Sequence, residues 1–223
     1  LPLEDVHASD LAWLFYTSGT TGRPKGAMLT SGNVTAVIVG WMADLMQLDS
    51  TSVPLHTAPL SHAAGFHALS SLSRGGTQIL LGKTRFDPEA FLSVVSEHRV
   101  TDTWMVPTQV NRIVRFESFD PERIQTLRHI VYGGAPYPLP DLIHALRTLG
   151  PILIQIYGQG ETPMTATVLT EAEHAHALEL DESILATAGR IRLGLEVRTV
   201  DEDDNETAIG IPGEIVVRGP TVM

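Results

Sequence analysis

Cysteine is absent from this 223-residue chain, which excludes disulfides and thiolate metal sites and fits a reducing, cytoplasmic setting. Basic residues are scarce, 15 against 26 acidic ones for a net charge of -11. That excess argues against nucleic acid or an anionic membrane surface as the main partner, so any polyanion must be bound locally. No apolar run approaches a membrane span, no signal sequence opens the chain, and there is no internal repeat or low-complexity segment. What is present is 43% hydrophobic content, enough to bury the core of one domain, or of one and part of a second. Leu1 in place of an initiator Met, and a stop at Met223 inside an apparent motif, read as the ends of a fragment.

The densest chemistry lies in Tyr16 to Gly26, YTSGTTGRPKG. Gly19, Gly22 and Gly26 let main-chain N–H groups approach a ligand closely, and Thr17, Ser18, Thr20 and Thr21 add hydroxyl donors. Lys25 supplies a mobile point charge beside the stiffening Pro24. Each charged hydrogen bond to an anionic oxygen there is worth roughly 1.5 to 3 kcal/mol. The common P-loop needs Gly directly before its Lys, and here that place is taken by Pro24, so a kinase-type or GTPase reading weakens.

Strand-length apolar runs alternate with segments of helical period through the first 160 residues, the pattern of an α/β fold with a mostly parallel sheet flanked by helices. Leu11 to Tyr16 reads as a strand carrying the glycine loop at the carboxyl edge of that sheet, where such folds bind ligands. The spacing predicts a helix capped by Thr30 or Ser31 and running to Leu48, and helices over His62 to Leu72, Pro107 to Phe116 and Pro140 to Leu149. Another begins at the Asp87-Pro88 pair. Strands are expected at Val53 to Pro59, Thr77 to Leu81, Thr101 to Val106, Arg128 to Tyr132 and Ile152 to Tyr157. Beyond about residue 180 the texture changes to short β segments with an acidic turn. Residues 1–180 therefore read as one α/β subdomain and 181–223 as the start of a second, β subdomain.

Tyr157-Gly158-Gln159-Gly160-Glu161-Thr162 follows a buried strand and offers an aromatic face for a base and a hard oxygen ligand for Mg²⁺. His62 with His67, and His174 with His176 in a polar stretch, lack the partners of a zinc site. The glycine loop, the Tyr157 segment, Gly133-Gly134-Ala135-Pro136, Pro59 to Phe66, and Gly213 to Pro220 together resemble the adenylate-forming superfamily. That superfamily contains acyl-CoA synthetases, the adenylation domains of peptide synthetases, and luciferases. The resemblance runs the length of the chain, with one departure: Gly160 stands where the family usually has Thr.

The resemblance implies that the parent protein activates a carboxylic acid, fatty or aryl, with MgATP to an acyl-adenylate and passes it to coenzyme A. ATP and AMP would be held by Thr17 to Gly22, Lys25, Gly133 to Pro136, and Gln155, Ile156, Tyr157, Gly158, Gln159, Gly160 and Glu161. Lys25 and Glu161 would be the catalytic pair, Glu161 also the Mg²⁺ ligand, and His62, Ala63 and Phe66 would face the acid. Peptide-synthetase domains place an Asp within Ser61 to His67, and this stretch has none, which favours a plain acid over an amino acid. Ala63, Ala64 and Gly65 are read as leaving room for it. Two alternatives stand beside this reading: a non-catalytic nucleotide-binding module, and an aryl-acid or amino-acid adenylation domain. A homo-oligomer stays open.

Overall fold

The computed structural model describes residues 4–17, 24–82, 85–164 and 166–223. Its centre is a seven-stranded sheet of β3 (Pro54–His56), β4 (Ile79–Leu80), β5 (Asp102–Met105), β6 (His129–Tyr132), β7 (Leu153–Tyr157), β8 (Thr167–Leu169) and β9 (Arg190–Ile191). The spatial order is β4-β3-β5-β6-β7-β8-β9, parallel from β4 to β7 and antiparallel at β8 and β9. The chain is thus an α/β protein with a mostly parallel sheet between helical layers.

Two cores follow from the two-residue period of these strands. Leu55, Met105, Ile130, Tyr132 and Leu153 point to one face. There they meet α3 (Pro88–His98), α4 (Pro107–Val114), α5 (Leu139–Leu149) and α6 (Glu171–Leu180). Trp104, Val131, Ile154 and Ile156 point to the other face, against α1 (Ser31–Asp44) and α2 (Ala63–Leu72). Local chemistry sets the helix starts. Asp87 accepts the Ala90 N–H at 3.0 Å with Pro88 in the first turn, and Thr30 forms a reciprocal capping box with Asn33, each such cap being worth about 1 kcal/mol.

One expectation changes, and the structure adds two features. The strand before the glycine loop, β1 (Leu11–Thr17), is not in the parallel sheet. It pairs antiparallel with β2 (Lys25–Thr30) in a separate hairpin, from Leu11↔Thr30 to Thr17↔Lys25. The polar stretch holding His174 and His176 is helical: Thr170 and Glu173 form a capping box that starts α6. Ala188-Gly189-Arg190 leads into β9 at the edge of the main sheet, whereas β10 (Glu196–Val200) and β11 (Glu214–Arg218) form their own antiparallel pair. Gly189 permits that turn, since it sits at φ +81° with its α-carbon packed onto the Val168 carbonyl.

Candidate nucleotide site

The ends of β6 and β7 lie side by side, and the chain leaves them through Gly133-Gly134 and Tyr157-Gly158. Gly133 has no room for a side chain: a Cβ there would stand 2.5 Å from the Ile156 carbonyl oxygen. Gly134 takes φ +77°, a conformation that favours glycine. These two residues let the Ala135-Pro136 turn fold back beside Tyr157. Between the turn and the β7 exit is a cavity of about 420 Å³, walled by Gly133 to Tyr137 and Gln155 to Gly158 and closed by Leu185 to Ala188. That size falls in the usual range for small-molecule sites.

Behind the cavity a polar network fixes the wall. The Tyr132 hydroxyl lies 3.0 Å from Gln155 Oε1 and 2.8 Å from His174 Nε2, two acceptors that share its single proton, while Gln155 Nε2 donates to the Thr187 carbonyl at 3.0 Å. His174 Nδ1 donates to the Thr170 carbonyl at 2.8 Å, which leaves Nε2 as the acceptor on a neutral ring. Burial pushes the Tyr132 phenol above its ordinary value, with Tyr137 adding to the effect, and pulls His174 below its own. Both groups are therefore uncharged supports. His174 was missed as part of the site. Its signal in the sequence was the Thr170-x-x-Glu173 capping box, which starts a helix whose first turns hold His174 and, four residues before it, its carbonyl partner.

The β1–β2 hairpin reaches the same place from outside the sheet. Its inward face presents Trp13, Phe15 and Thr17 in strand alternation. Trp13 stacks on Phe66 with ring centroids 4.7 Å apart, and Phe15 lies 5.5 Å from the His62 ring. At its end Thr17 packs on Gly160, where any Cβ would overlap the Thr17 methyl and lie 3.0 Å from the Phe15 ring. Lys25 is exposed at the last hairpin pair, opposite Thr17. Ser18, Gly19, Thr20, Thr21 and Gly22 lie outside the described residues. Of the expected nucleotide contacts, the structure therefore brings together Gly133 to Pro136 with Gln155 to Gly158 in one cavity, and Thr17 with Gly160 in direct contact.

Glu161 is half-buried in the loop after β7. Among the described residues there is no group of three or more metal-ligating side chains. A Mg²⁺ ion held through one carboxylate and nucleotide phosphates needs no such group, so a lone, partly accessible Glu161 suits it.

The three residues expected to face the acid are not equivalent. His62 is exposed, donating from Nδ1 to the Ser61 carbonyl at 2.9 Å, and makes no side-chain cap on α2. Ala63 is half-buried, and Phe66 is fully buried in the core beneath Trp13. Ala64 and Gly65 do not leave room: a Cβ on Gly65 would overlap the Leu60 carbonyl and the Trp13 ring. Their smallness serves close packing of α2 under the hairpin.

The chain is 39% identical over 220 residues to the feruloyl-CoA synthase of an Amycolatopsis species, covering 98% of this chain and 43% of that protein. It is 32% identical over 216 residues to the medium/long-chain-fatty-acid–CoA ligase FadD8 of Mycobacterium tuberculosis, covering 97% of this chain and 36% of that one. The chain thus spans less than half the length of the curated relatives it matches. Among solved structures, o-succinylbenzoate coenzyme A synthetase from Bacillus subtilis in complex with AMP superposes with a TM-score of 0.83 at 30% identity. That match covers 98% of this chain and 42% of the other. The model of the family described as AMP-binding enzyme matches residues 1–223, and the chain belongs to that family.

Proposed function

We propose that the complete enzyme joins a carboxylic acid to coenzyme A in two steps, through an acyl-adenylate made from MgATP. The observation that carries this reading is the meeting of three separate segments at one point: the Gly133 turn, the Tyr157 loop and the end of the β1–β2 hairpin. A nucleotide with its base in the 420 Å³ cavity would direct its phosphates toward Thr17 and Lys25. Tyr157 and the Gly133 to Pro136 backbone hold the adenine, with Gln155 and Ile156 as the floor. Lys25 and the hydroxyls of residues 17 to 21 would hold the β and γ phosphates and offer donors to the negative charge developing on the leaving pyrophosphate. Glu161 would hold Mg²⁺, which would supply neutralisation of the phosphate charge. The acid is positioned for in-line attack on the α-phosphorus, a bimolecular step made effectively unimolecular by holding both partners.

A plain aliphatic or aromatic acid is the favoured substrate. The absence of an acidic side chain from Ser61 to His67 supports this, as do the named activities of the relatives, which include a feruloyl-CoA synthase, a fatty-acid–CoA ligase and an indoleacetate–CoA ligase. His62, exposed beside the hairpin, is the candidate to meet it. Residues 181–223 are read as opening a second subdomain through the β10–β11 pair, and a cytoplasmic location rests on the cysteine-free composition. A panel of fatty, aryl and amino acids in an ATP–pyrophosphate exchange assay tests the proposal. Acid-dependent exchange with aryl or fatty acids is expected, and exchange with amino acids alone would reverse the assignment. A second reading, favoured by the chain's span of less than half its relatives, is that residues 1–223 by themselves bind nucleotide without catalysis. Acyl-adenylate formed by those residues alone would sink it.

A further inference from the structure

The loop that carries Glu161 has little backbone structure of its own. Among the described residues its internal backbone hydrogen bonds are a long one from the Gln159 N–H to the Thr162 carbonyl at 3.3 Å and one from the Ala166 N–H to the Tyr157 carbonyl at 2.7 Å, with one side-chain bond, from Gln159 Nε2 to the Tyr157 hydroxyl at 3.3 Å. Met164, buried near its end, takes φ +60°, an uncommon conformation for a non-glycine residue. Left to itself such a loop would sample several positions for its carboxylate.

Support comes from a distant part of the chain. The Thr221 and Thr162 hydroxyls, both buried, lie 3.0 Å apart, and the Met223 N–H donates to the Glu161 carbonyl at 3.0 Å. The segment holding Thr221 is itself fastened at α1: Asn33 Nδ2 donates to the Pro220 carbonyl at 2.9 Å and to the Val222 carbonyl at 2.8 Å. The same side chain turns its Oδ1 to the Thr30 N–H and hydroxyl, each at 2.9 Å. Gly219 delivers the segment from β11, because a side chain there would overlap Leu195 and approach the Gly194 carbonyl oxygen to 2.9 Å.

We infer that Asn33 and Thr221 are positioning residues for Glu161, forming a brace that runs from α1 through Pro220 to Val222 to the Glu161-Thr162 backbone. The inference rests on the proposed metal role of Glu161. Neither residue touches that carboxylate; each acts on the backbone that aims it. The brace also gives the β10–β11 pair a direct hold on the nucleotide site, since the braced segment is the immediate continuation of β11.

The test uses the complete enzyme. Asn33→Asp keeps the oxygen that caps α1 and replaces the two amide donors with an oxygen facing two carbonyls. Thr221→Val removes the hydroxyl at nearly constant size, and Thr221→Ser restores it. Amide exchange across residues 158–164 is measured without nucleotide, and the free Mg²⁺ dependence of ATP–pyrophosphate exchange is measured alongside, with Glu161→Gln as a parallel variant. Asn33→Asp and Thr221→Val are expected to speed loop amide exchange and raise half-saturating Mg²⁺, by about fivefold for Thr221→Val, the usual effect of one lost hydrogen bond, and by about twenty-five-fold for Asn33→Asp, which loses two. The KM for the acid and the amide exchange of α1 stay unchanged, and Thr221→Ser behaves as the parent. Unaltered loop exchange in both variants overturns the brace. So does unaltered Mg²⁺ dependence in both when Glu161→Gln shifts it. If Glu161→Gln leaves the Mg²⁺ dependence unchanged, the metal reading itself fails, and the brace's positioning role fails with it.

Discussion

The cleft at the ends of β6 and β7 and the β1–β2 hairpin, which meet where Thr17 packs on Gly160, are held in different ways. The cleft grows from two buried parallel strands with neighbours on both sides, and its walls are backbone turns backed by the Tyr132, Gln155 and His174 network. The hairpin is a separate sheet of two strands. Its outer face is open to solvent, with Leu14 44% and Tyr16 58% exposed. A two-stranded ribbon is marginal alone, so Trp13, Phe15 and Thr17 must fix it against Phe66, His62 and Gly160. In the proposed function the braced cleft would receive the planar base, while a hairpin seated by one face of side chains would carry Lys25 toward the phosphates at little cost to the core.

The largest expected effect separates chemistry from stability. Lys25→Ala should slow pyrophosphate release and exchange by about a hundredfold, the scale of losing one fixed donor to developing charge. The melting temperature should hold, because Lys25 is exposed at the hairpin end. Unchanged kinetics would remove the hairpin from the mechanism. Gly133→Ala should do the reverse in kind, forcing the ends of β6 and β7 apart at about 1 to 3 kcal/mol of stability while weakening AMP binding. Lower stability with undiminished AMP affinity in calorimetry would show that the base lies elsewhere.

Acid acts on the body of the sheet through His56. His56, at the end of β3, is buried with Nε2 2.7 Å from Gln78 Oε1. Burial, then the neighbouring His67, pulls its pKa from 6.5 to about 4. The unfolded chain takes up this proton first, so stability is fully present above pH 6.5 and declines as pH falls toward 4. One such group contributes a slope of at most about 1.4 kcal/mol per pH unit. Melting curves between pH 7 and 5 should therefore be flatter in His56→Gln, and an equally steep loss in that variant would assign the acid sensitivity to other groups. Asp102, hydrogen-bonded to His67, behaves differently. Burial works to raise its pKa, but the hydrogen bond and charge of His67 with the Thr101 hydroxyl outweigh that and hold it below the usual carboxylate range. Its contribution persists above the carboxylate range and is lost only at lower pH.

The smallest effect probes the seam between the two regions. Gly160→Thr adds a side chain where the Thr17 methyl and the Phe15 ring already sit, so the hairpin must shift. The KM for ATP should rise about fivefold, on the scale of one disturbed contact of about 1 kcal/mol. A tighter KM would mean that the added hydroxyl contributes more than the displaced packing.

Much of the architecture was legible because its causes are local. Asp87-Pro88 announces α3, Thr30 announces α1, and the apolar runs ending at Tyr132 and Tyr157 mark two strands of the parallel sheet. The misreadings have causes in distant contacts. Leu11 to Thr17 has the composition of a sheet strand, but its partner is the segment just after the glycine loop, and strand pairing is not written in a strand's own residues. Gly65 looked like space and is close packing, because its neighbours Leu60 and Trp13 approach from two other elements. The Thr170 capping box was a readable helix start, overlooked among polar residues.

By itself the sequence determined which chemical groups are available and which short segments carry them: a glycine, hydroxyl and lysine loop, a glycine turn, and a tyrosine with a glutamate four residues on. Only the tertiary structure decided which of these meet. Thr17 with Gly160, Gln155 with Thr187, and Asn33 with Pro220, 187 positions apart, are contacts set by burying two faces of one sheet. Local propensities and motif spacing act over a few residues, whereas such pairings depend on how the whole core closes.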